Sequence, residues 1–393
     1  MTNSKRFLLK AALGSVIAGH AVLGLAQTGP IKIGLILPMT GQSASTGRQI
    51  DAAVKLWMAQ NGNKIAGRTV EVILKDDGAV PDATKRIAQE LIVNDKVAVI
   101  AGFGITPTAL ATAPLATQSK TPLVVMAAAT SSITEASPYI VRTSFTLPQA
   151  TVAIADWAAK NKIKKAVTLV ADYGPGFDAE KFFDSQFRLD GGQILDKLRT
   201  PLKAPDFAPV LQRVIDTKPD ALFVFLPSGQ GAAFMKQFAE RGLDKSGVKL
   251  IATGDVTDDD QLNDMGDVAL GVVNSHHYSA AHPSAVNKKF VEAFQAANKF
   301  RPNFMAVGGY DGMRVIYKAL EATKGEGGEK LLNAMKGQIF ESPRGPVLID
   351  GQTRDIVQDV YIRKVERVPA MGNGLYNVEF DVIKAVKDPG KAK

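Results

Sequence analysis

The chain has 393 residues, with 47 Lys and Arg against 39 Asp and Glu, a formal net charge of +8 and no cysteine. Apolar residues make up 46% and charged residues 22%, an ordinary globular mixture that excludes a disordered or collagen-like chain, and the length suits two or three domains. Without cysteine there are no disulfides, zinc–thiolate sites, iron–sulfur clusters, thiol catalysis or lipid anchor on an N-terminal cysteine. The basic excess is scattered rather than gathered in a run, which argues against nucleic acid as a partner.

Residues 1–26 read as a secretory signal peptide. Lys5, Arg6 and Lys10 form its positive start, and an apolar stretch runs from Ala11 to Leu25. That stretch is short of the roughly 20 residues a spanning helix needs. Small residues at Gly24 and Ala26 predict cleavage after Ala26, which takes the net charge from +8 to +5. No later segment is long and apolar enough to cross a bilayer, so an exported, soluble, periplasmic product is expected.

The mature chain then alternates strands and helices. Residues 31–37 form an apolar run suited to a buried strand, and 50–58 have helical spacing through Ile50, Ala53, Val54 and Trp57. Residues 68–75 alternate like a half-exposed strand, 82–93 read as a helix, and 97–101, 123–127 and 139–143 as strands. The pattern repeats with strands at 166–171, 194–198, 221–226, 249–253 and 268–273, and helices at 178–189, 207–216 and 231–241. Helices follow at 283–300, 306–323 and 326–337, then strands at 358–368 and 376–383. The tail from Lys384 is polar, basic and expected to fray. Short β-rich runs alternating with helices predict an α/β fold: two doubly wound lobes, each with a parallel-type sheet.

In open α/β sheets, ligands sit outside the carboxyl ends of the strands. The first strand ends in a Gly/Ser/Thr-rich turn, Pro38 to Gly47, which suits either a polar ligand head at a helix start or a plain connection. The turn Gly102-Phe103-Gly104-Ile105-Thr106-Pro107 lacks the third glycine of a dinucleotide fingerprint. It reads instead as Thr106 capping a helix with Pro107 at its first position. After Ala127-Ala128-Ala129-Thr130, Ser132 and Glu135 have capping-box spacing, and the small side chains leave backbone and hydroxyls open to a carboxylate. In the second lobe, Tyr173 and the Leu226–Gly229 turn end strands. Asp255 ends another, either facing an ammonium or capping a helix beside Asp258, Asp259 and Asp260.

Other signals exclude more than they suggest. His276, His277 and His282 lack metal-motif spacing and an adjacent acid, and read as a polar loop. The Asp255–Asp260 run does not match a calcium loop. There is no P-loop, nucleophile elbow or catalytic His context, so no enzyme, cofactor or metal is expected.

Taken together, the chain resembles periplasmic ligand-binding proteins of the leucine/isoleucine/valine-binding type, which serve ABC importers. The resemblance rests on Ile33-Gly34-Leu35-Ile36-Leu37-Pro38-Met39-Thr40-Gly41, Asp76-Asp77-Gly78, the 102–106 turn, Ala127-Ala128-Ala129-Thr130, Asp172-Tyr173-Gly174 and Tyr310. It implies a type I fold whose lobes are joined by three crossings, near residues 145–148, 275–279 and 340–343. The lobes would comprise 27–147 with 280–341, and 148–279 with 342–393. It further implies that Thr106, Ala128 and Thr130 hold a ligand carboxylate. Asp255 would face an ammonium, Tyr173 and Tyr310 would line the pocket, and Thr46 would stand where some members carry an aromatic residue. The expected function is delivery of a branched-chain or other apolar amino acid, by a monomer, to an ABC permease. The alternative is an aromatic or other organic acid, with Asp255 bonded to a hydroxyl or turned to solvent, or a sensory protein on the same fold.

Overall fold

The computed structural model describes residues 29–391; the expected signal peptide, 1–26, lies outside the described residues. The first lobe is built on β1 (Ile31–Leu37), β2 (Lys64–Ile65), β3 (Arg68–Asp76), β4 (Val99–Gly102), β5 (Leu123–Val125) and β6 (Ile140–Arg142). They lie in the order β2-β3-β1-β4-β5-β6, all parallel except the β2–β3 hairpin. The connecting helices are α1 (Ala44–Asn61), α2 (Pro81–Val93) and α3 (Thr106–Ser119). β1 is buried almost throughout and reads apolar for that reason.

Helix α4 (Leu147–Lys160) leads into the second lobe. There β7 (Lys165–Ala171), β8 (Gln193–Thr200), β9 (Ala221–Phe225), β10 (Lys249–Thr253) and β11 (Val273–His276) alternate with α5 (Gly174–Leu189), α6 (Ala208–Thr217), α7 (Gly231–Glu240) and the short α8 (Leu262–Met265). Their order, β8-β7-β9-β10-β11, repeats that of β3-β1-β4-β5-β6. The chain returns to the first lobe for α9 (Ala285–Asn298), α10 (Phe304–Ala322) and α11 (Gly328–Met335). It ends on the second sheet with β12 (Ile339–Ser342), β13 (Gly345–Ile349), β14 (Ile356–Val368) and β15 (Gly374–Val386), which pair antiparallel along the β11 edge.

The chain therefore passes between the sheets three times, after β6, after β11 and before β12. The third passage precedes Ile339, ahead of the expected 340–343, because β12 already pairs with β13. Elements such as β2, α4, β12 and β13 extend the sequence reading. The strand expected at 268–273 starts at Val273 instead; a 3-10 turn occupies Gly266–Ala269. The tail does not fray. Gln149 Nε2 donates to Val386 O at 2.8 Å, and Lys391 pairs with Asp355.

Buried arginines tie the passages together. Arg344 Nη1 donates to Ser144 O at 2.7 Å, its Nη2 donates to Thr143 O at 2.9 Å, and it pairs with Asp311 at 2.8 Å. Arg142 pairs with Asp355 at 2.8 Å. Arg363 Nε donates to Asn274 Oδ1 at 2.7 Å and another of its nitrogens to Tyr278 O. Each guanidinium donates to at least one loop carbonyl, which supplies part of the hydrogen bonding those irregular segments lack.

Candidate ligand-binding cleft

Strand order reverses between β1 and β4 in the first lobe and between β7 and β9 in the second, and ligands favour that point in open sheets. The two switch points face one another across a tight cavity of about 30 Å³, so a ligand larger than a water enters only as the lobes part or side chains shift.

Close backbone approach shapes both rims. Gly102 (φ 113°) puts its Cα where a Cβ would lie 2.2 Å from Ile36 O, and the next residue, Phe103, also has positive φ, 66°. This strained turn carries the chain over the end of β1 and starts α3 in the cleft. On the other side, a Cβ on Gly176 would lie 1.8 Å from Ala171 O, so α5 can begin directly on the end of β7.

On the first-lobe side, Thr46 and Thr106 line the cavity. Ile105, not Thr106, is the N-cap of α3, and Thr106 is its first helical residue. The Thr106 hydroxyl is therefore not spent on the helix. It meets the Thr130 hydroxyl at 2.8 Å, both buried. Pro107 has no N–H, and Thr108 N and Ala109 N donate to Ile105 O at 3.2 and 3.4 Å, so what the start of α3 brings to this end of the cavity is the Thr106 hydroxyl and the positive end of the helix dipole. Ala128 lines the wall, but its backbone is committed: its N–H donates to Phe103 O at 3.0 Å, and its carbonyl accepts from Ser144 Oγ at 3.4 Å. The expected Ser132–Glu135 capping box does not form. Residues 131–135 are a 3-10 turn with no side-chain cap, and Thr130 stands before it.

On the second-lobe side, Tyr173 and Phe225 are stacked with centroids 6.1 Å apart. With Phe145 from the first passage and Met305 from α10, they set apolar surface beside the polar groups of Thr46, Thr106, Ser228 and Asp255. Burial, and then the charge of Asp255, push the Tyr173 hydroxyl up, so it stays protonated and able to donate. Asp255 is 4% exposed, and its Oδ2 has no hydrogen-bond partner. The nearest cation-forming atom is His276 Nε2 at 3.5 Å, too far for a good hydrogen bond. Asp255 is thus a buried acceptor in the cavity wall rather than a helix cap.

The histidines do not form a polar loop. His276 and His277 are buried, and His276 sits between Phe145 and Phe304, 4.6 and 4.2 Å from their ring centres. Burial pushes the His276 imidazole down to about 4, against the pull of Asp255. His282 does meet an acid, Glu379, at 2.8 Å. Tyr310 is not in the cavity. Its hydroxyl donates to Gln60 at 2.6 Å and its ring packs edge-on to Trp57 at 5.0 Å, on the α1–α10 interface.

The lobes are closed over the cavity. Ser45 Oγ donates to Asp260 Oδ2 at 2.7 Å and Asn303 Nδ2 to Asp258 Oδ2 at 3.0 Å, both between lobes. Burial and the charge of Asp260 hold the Asp258 carboxyl well above the usual range. Of the expected site residues, Thr46, Thr106, Ala128, Tyr173 and Asp255 line the cavity, Thr130 lies one hydrogen bond behind, and Tyr310 lies outside it. Phe145, Ser228 and Met305, not expected there, also line it. Only Ser228 carried a signal, at the strand end Leu226–Gly229.

A family model described as periplasmic binding protein matches residues 30–372. A solute-binding protein of an ABC transporter from Rhodopseudomonas palustris BisB5, solved with 3,4-dihydroxybenzoic acid, is 63% identical. Its TM-score is 0.90, over 92% of this chain and 99% of that one. An R. palustris solute-binding protein solved with 4-hydroxybenzoate is 43% identical, with a TM-score of 0.89 over 92% and 99% of the two chains. The Leu/Ile/Val-binding protein homolog 6 of Brucella abortus is 42% identical over 97% of this chain and 98% of its own length. The chain belongs to the periplasmic binding protein family, with the type I fold, whose members here are substrate-binding proteins of ABC transporters.

Proposed function

We propose that the protein captures a hydroxylated aromatic carboxylate outside the cytoplasm, after export by its signal peptide, and delivers it as a monomer to an ABC permease. The observation that carries this reading is the unpartnered Asp255 Oδ2 in a cavity that Tyr173, Phe225 and Phe145 also line. Aromatic faces suit a ring, and a buried carboxylate needs a donor. A phenolic hydroxyl supplies that donor, while the ligand carboxylate takes the Thr106 hydroxyl and the start of α3. The R. palustris relatives bind hydroxybenzoates, which supports this alternative over the amino acid first expected.

In this reading the ligand docks first on the uncharged Thr106 side. The bodies 27–147 with 280–341, and 148–279 with 342–393, then close about the three passages, with the last join moved to the start of β12. Closure brings Tyr173 and Asp255 over the ring and excludes water, which strengthens each polar contact. Thr46, being small, leaves room for the ring edge.

The amino-acid reading keeps one observation in its favour, since Asp255 could equally accept from an ammonium, and the Brucella relative is named for Leu, Ile and Val. A thermal-shift panel on protein stripped of carried-over ligand separates the two. Saturation with hydroxybenzoates at about a hundred times Kd adds about 2.7 kcal/mol of stability and a clear rise in Tm, with no rise for leucine. A rise for leucine, isoleucine or valine alone refutes the aromatic reading.

A further inference from the structure

The carboxyl-terminal residues close a circuit that no ligand contact requires. After β15 leaves the second sheet at Val386, the chain crosses to the first lobe and ends against the 3-10 turn that follows Thr130. Asp388 Oδ2 accepts from Ser131 Oγ at 2.6 Å, and both residues are buried. Asp388 Oδ1 accepts from Gly390 N at 2.9 Å, which folds the tail back on itself. Gly390 lies so close that a Cβ there would sit 2.3 Å from Ser131 Oγ. Lys391 completes the circuit by bonding Thr134 Oγ1 and Asp355.

Ser131 is held from the opposite lobe as well, since its N–H donates to Asp178 Oδ2 on α5 at 2.8 Å. The peptide before it is gripped by Arg142, whose Nη2 donates to Thr130 O at 2.9 Å. Thr130 in turn shares its hydroxyl with Thr106 at 2.8 Å. Two hydrogen bonds, joined by the Thr130–Ser131 peptide, therefore link Asp388 to the Thr106 hydroxyl in the cavity.

We propose that residues 387–391 form a strap, and that Asp388 is a positioning residue which sets carboxylate affinity by fixing Ser131, Thr130 and Thr106 without touching the ligand. The inference rests on the carboxylate reading of the Thr106 end. With the strap in place Thr130 has one arrangement, so its hydroxyl offers Thr106 one fixed partner. Without it, the turn must be ordered when ligand binds, which reduces affinity.

The test is calorimetric titration of 4-hydroxybenzoate into the full mature chain. Asp388→Asn and Ser131→Ala are each expected to weaken binding about five- to tenfold, less than the direct loss of a hydrogen bond to a charged group because they act through Thr130. Lys391→Met loosens the strap from Asp355 and Thr134 only, and is expected to weaken binding less. Adding Asp388→Asn to Thr106→Val is expected to cost less than about twofold more, because coupled residues are not additive. A merely structural role for the tail would lower Tm and leave the affinity of the folded protein unchanged. Wild-type affinity in Asp388→Asn, or full additivity with Thr106→Val, overturns the proposal. If Thr106→Val alone leaves binding unchanged, the carboxylate cradle itself is refuted, so the two failures are distinct.

Discussion

Both lobes turn the carboxyl ends of one strand order toward the cleft, yet they offer the ligand opposite chemistry. The first lobe presents hydroxyls and a helix start, with no charged side chain in the cavity. The second presents rings and one buried acid, Asp255, beside a neutral His276. A doubly wound sheet fixes where a site lies, and the loop residues at the switch point decide what it recognises. An uncharged cradle is cheap to leave empty in the open form. A buried acid is costly unless closure brings it a donor. The order of events, cradle first and acid second, follows from that difference.

The largest expected effect removes the uncharged side. Thr106→Val keeps the shape and deletes the hydroxyl shared with Thr130. A lost hydrogen bond to a charged group is worth about 1.5–3 kcal/mol, so affinity for hydroxybenzoates falls about 10- to 100-fold, as titration calorimetry would read. Unchanged affinity would place the carboxylate elsewhere.

The second prediction concerns the acid side. His276 is pushed from 6.5 down to about 4, so between those values the unfolded chain binds a proton that the folded chain refuses. Its neutral burial therefore favours folding fully above pH 6.5 and progressively less as pH falls toward 4, by about 2 kcal/mol at pH 5. His277, also lowered, and Asp258, raised, are common to wild type and variant. The stability advantage of wild type over His276→Gln, measured by urea unfolding, should therefore shrink from pH 7 to pH 5. A constant difference would contradict the neutral imidazole.

The smallest effect lies away from both sides. Tyr310→Phe deletes a half-buried hydroxyl bond to Gln60, worth about 0.5–1 kcal/mol of stability. Ligand affinity should not change; a severalfold loss would return Tyr310 to the site.

Much of the fold was legible because its signals are local. Apolar runs such as 97–101, 166–171 and 249–253 located the strand ends after which Thr106, Tyr173 and Asp255 stand. The tail, β12 and β13 were not legible, since their order comes from distant partners such as Gln149, Asp355 and Ser131. That Tyr310 lies outside the cavity was not legible because α10 is buried on nearly every side, and periodicity cannot say which neighbour a given face meets. His276 looked polar for a similar reason: only the passages bring Phe145 and Phe304 around it.

The most direct test compares 4-hydroxybenzoate with benzoate by titration calorimetry in wild type and in Asp255→Asn. Benzoate leaves the buried Asp255 carboxylate without a donor, so wild type should prefer 4-hydroxybenzoate by about tenfold or more, a difference of about 1.4 kcal/mol. The Asn variant should lose most of that preference, chiefly by binding benzoate better. Equal affinities in wild type, or a preference untouched by the substitution, would contradict recognition of a phenol by Asp255.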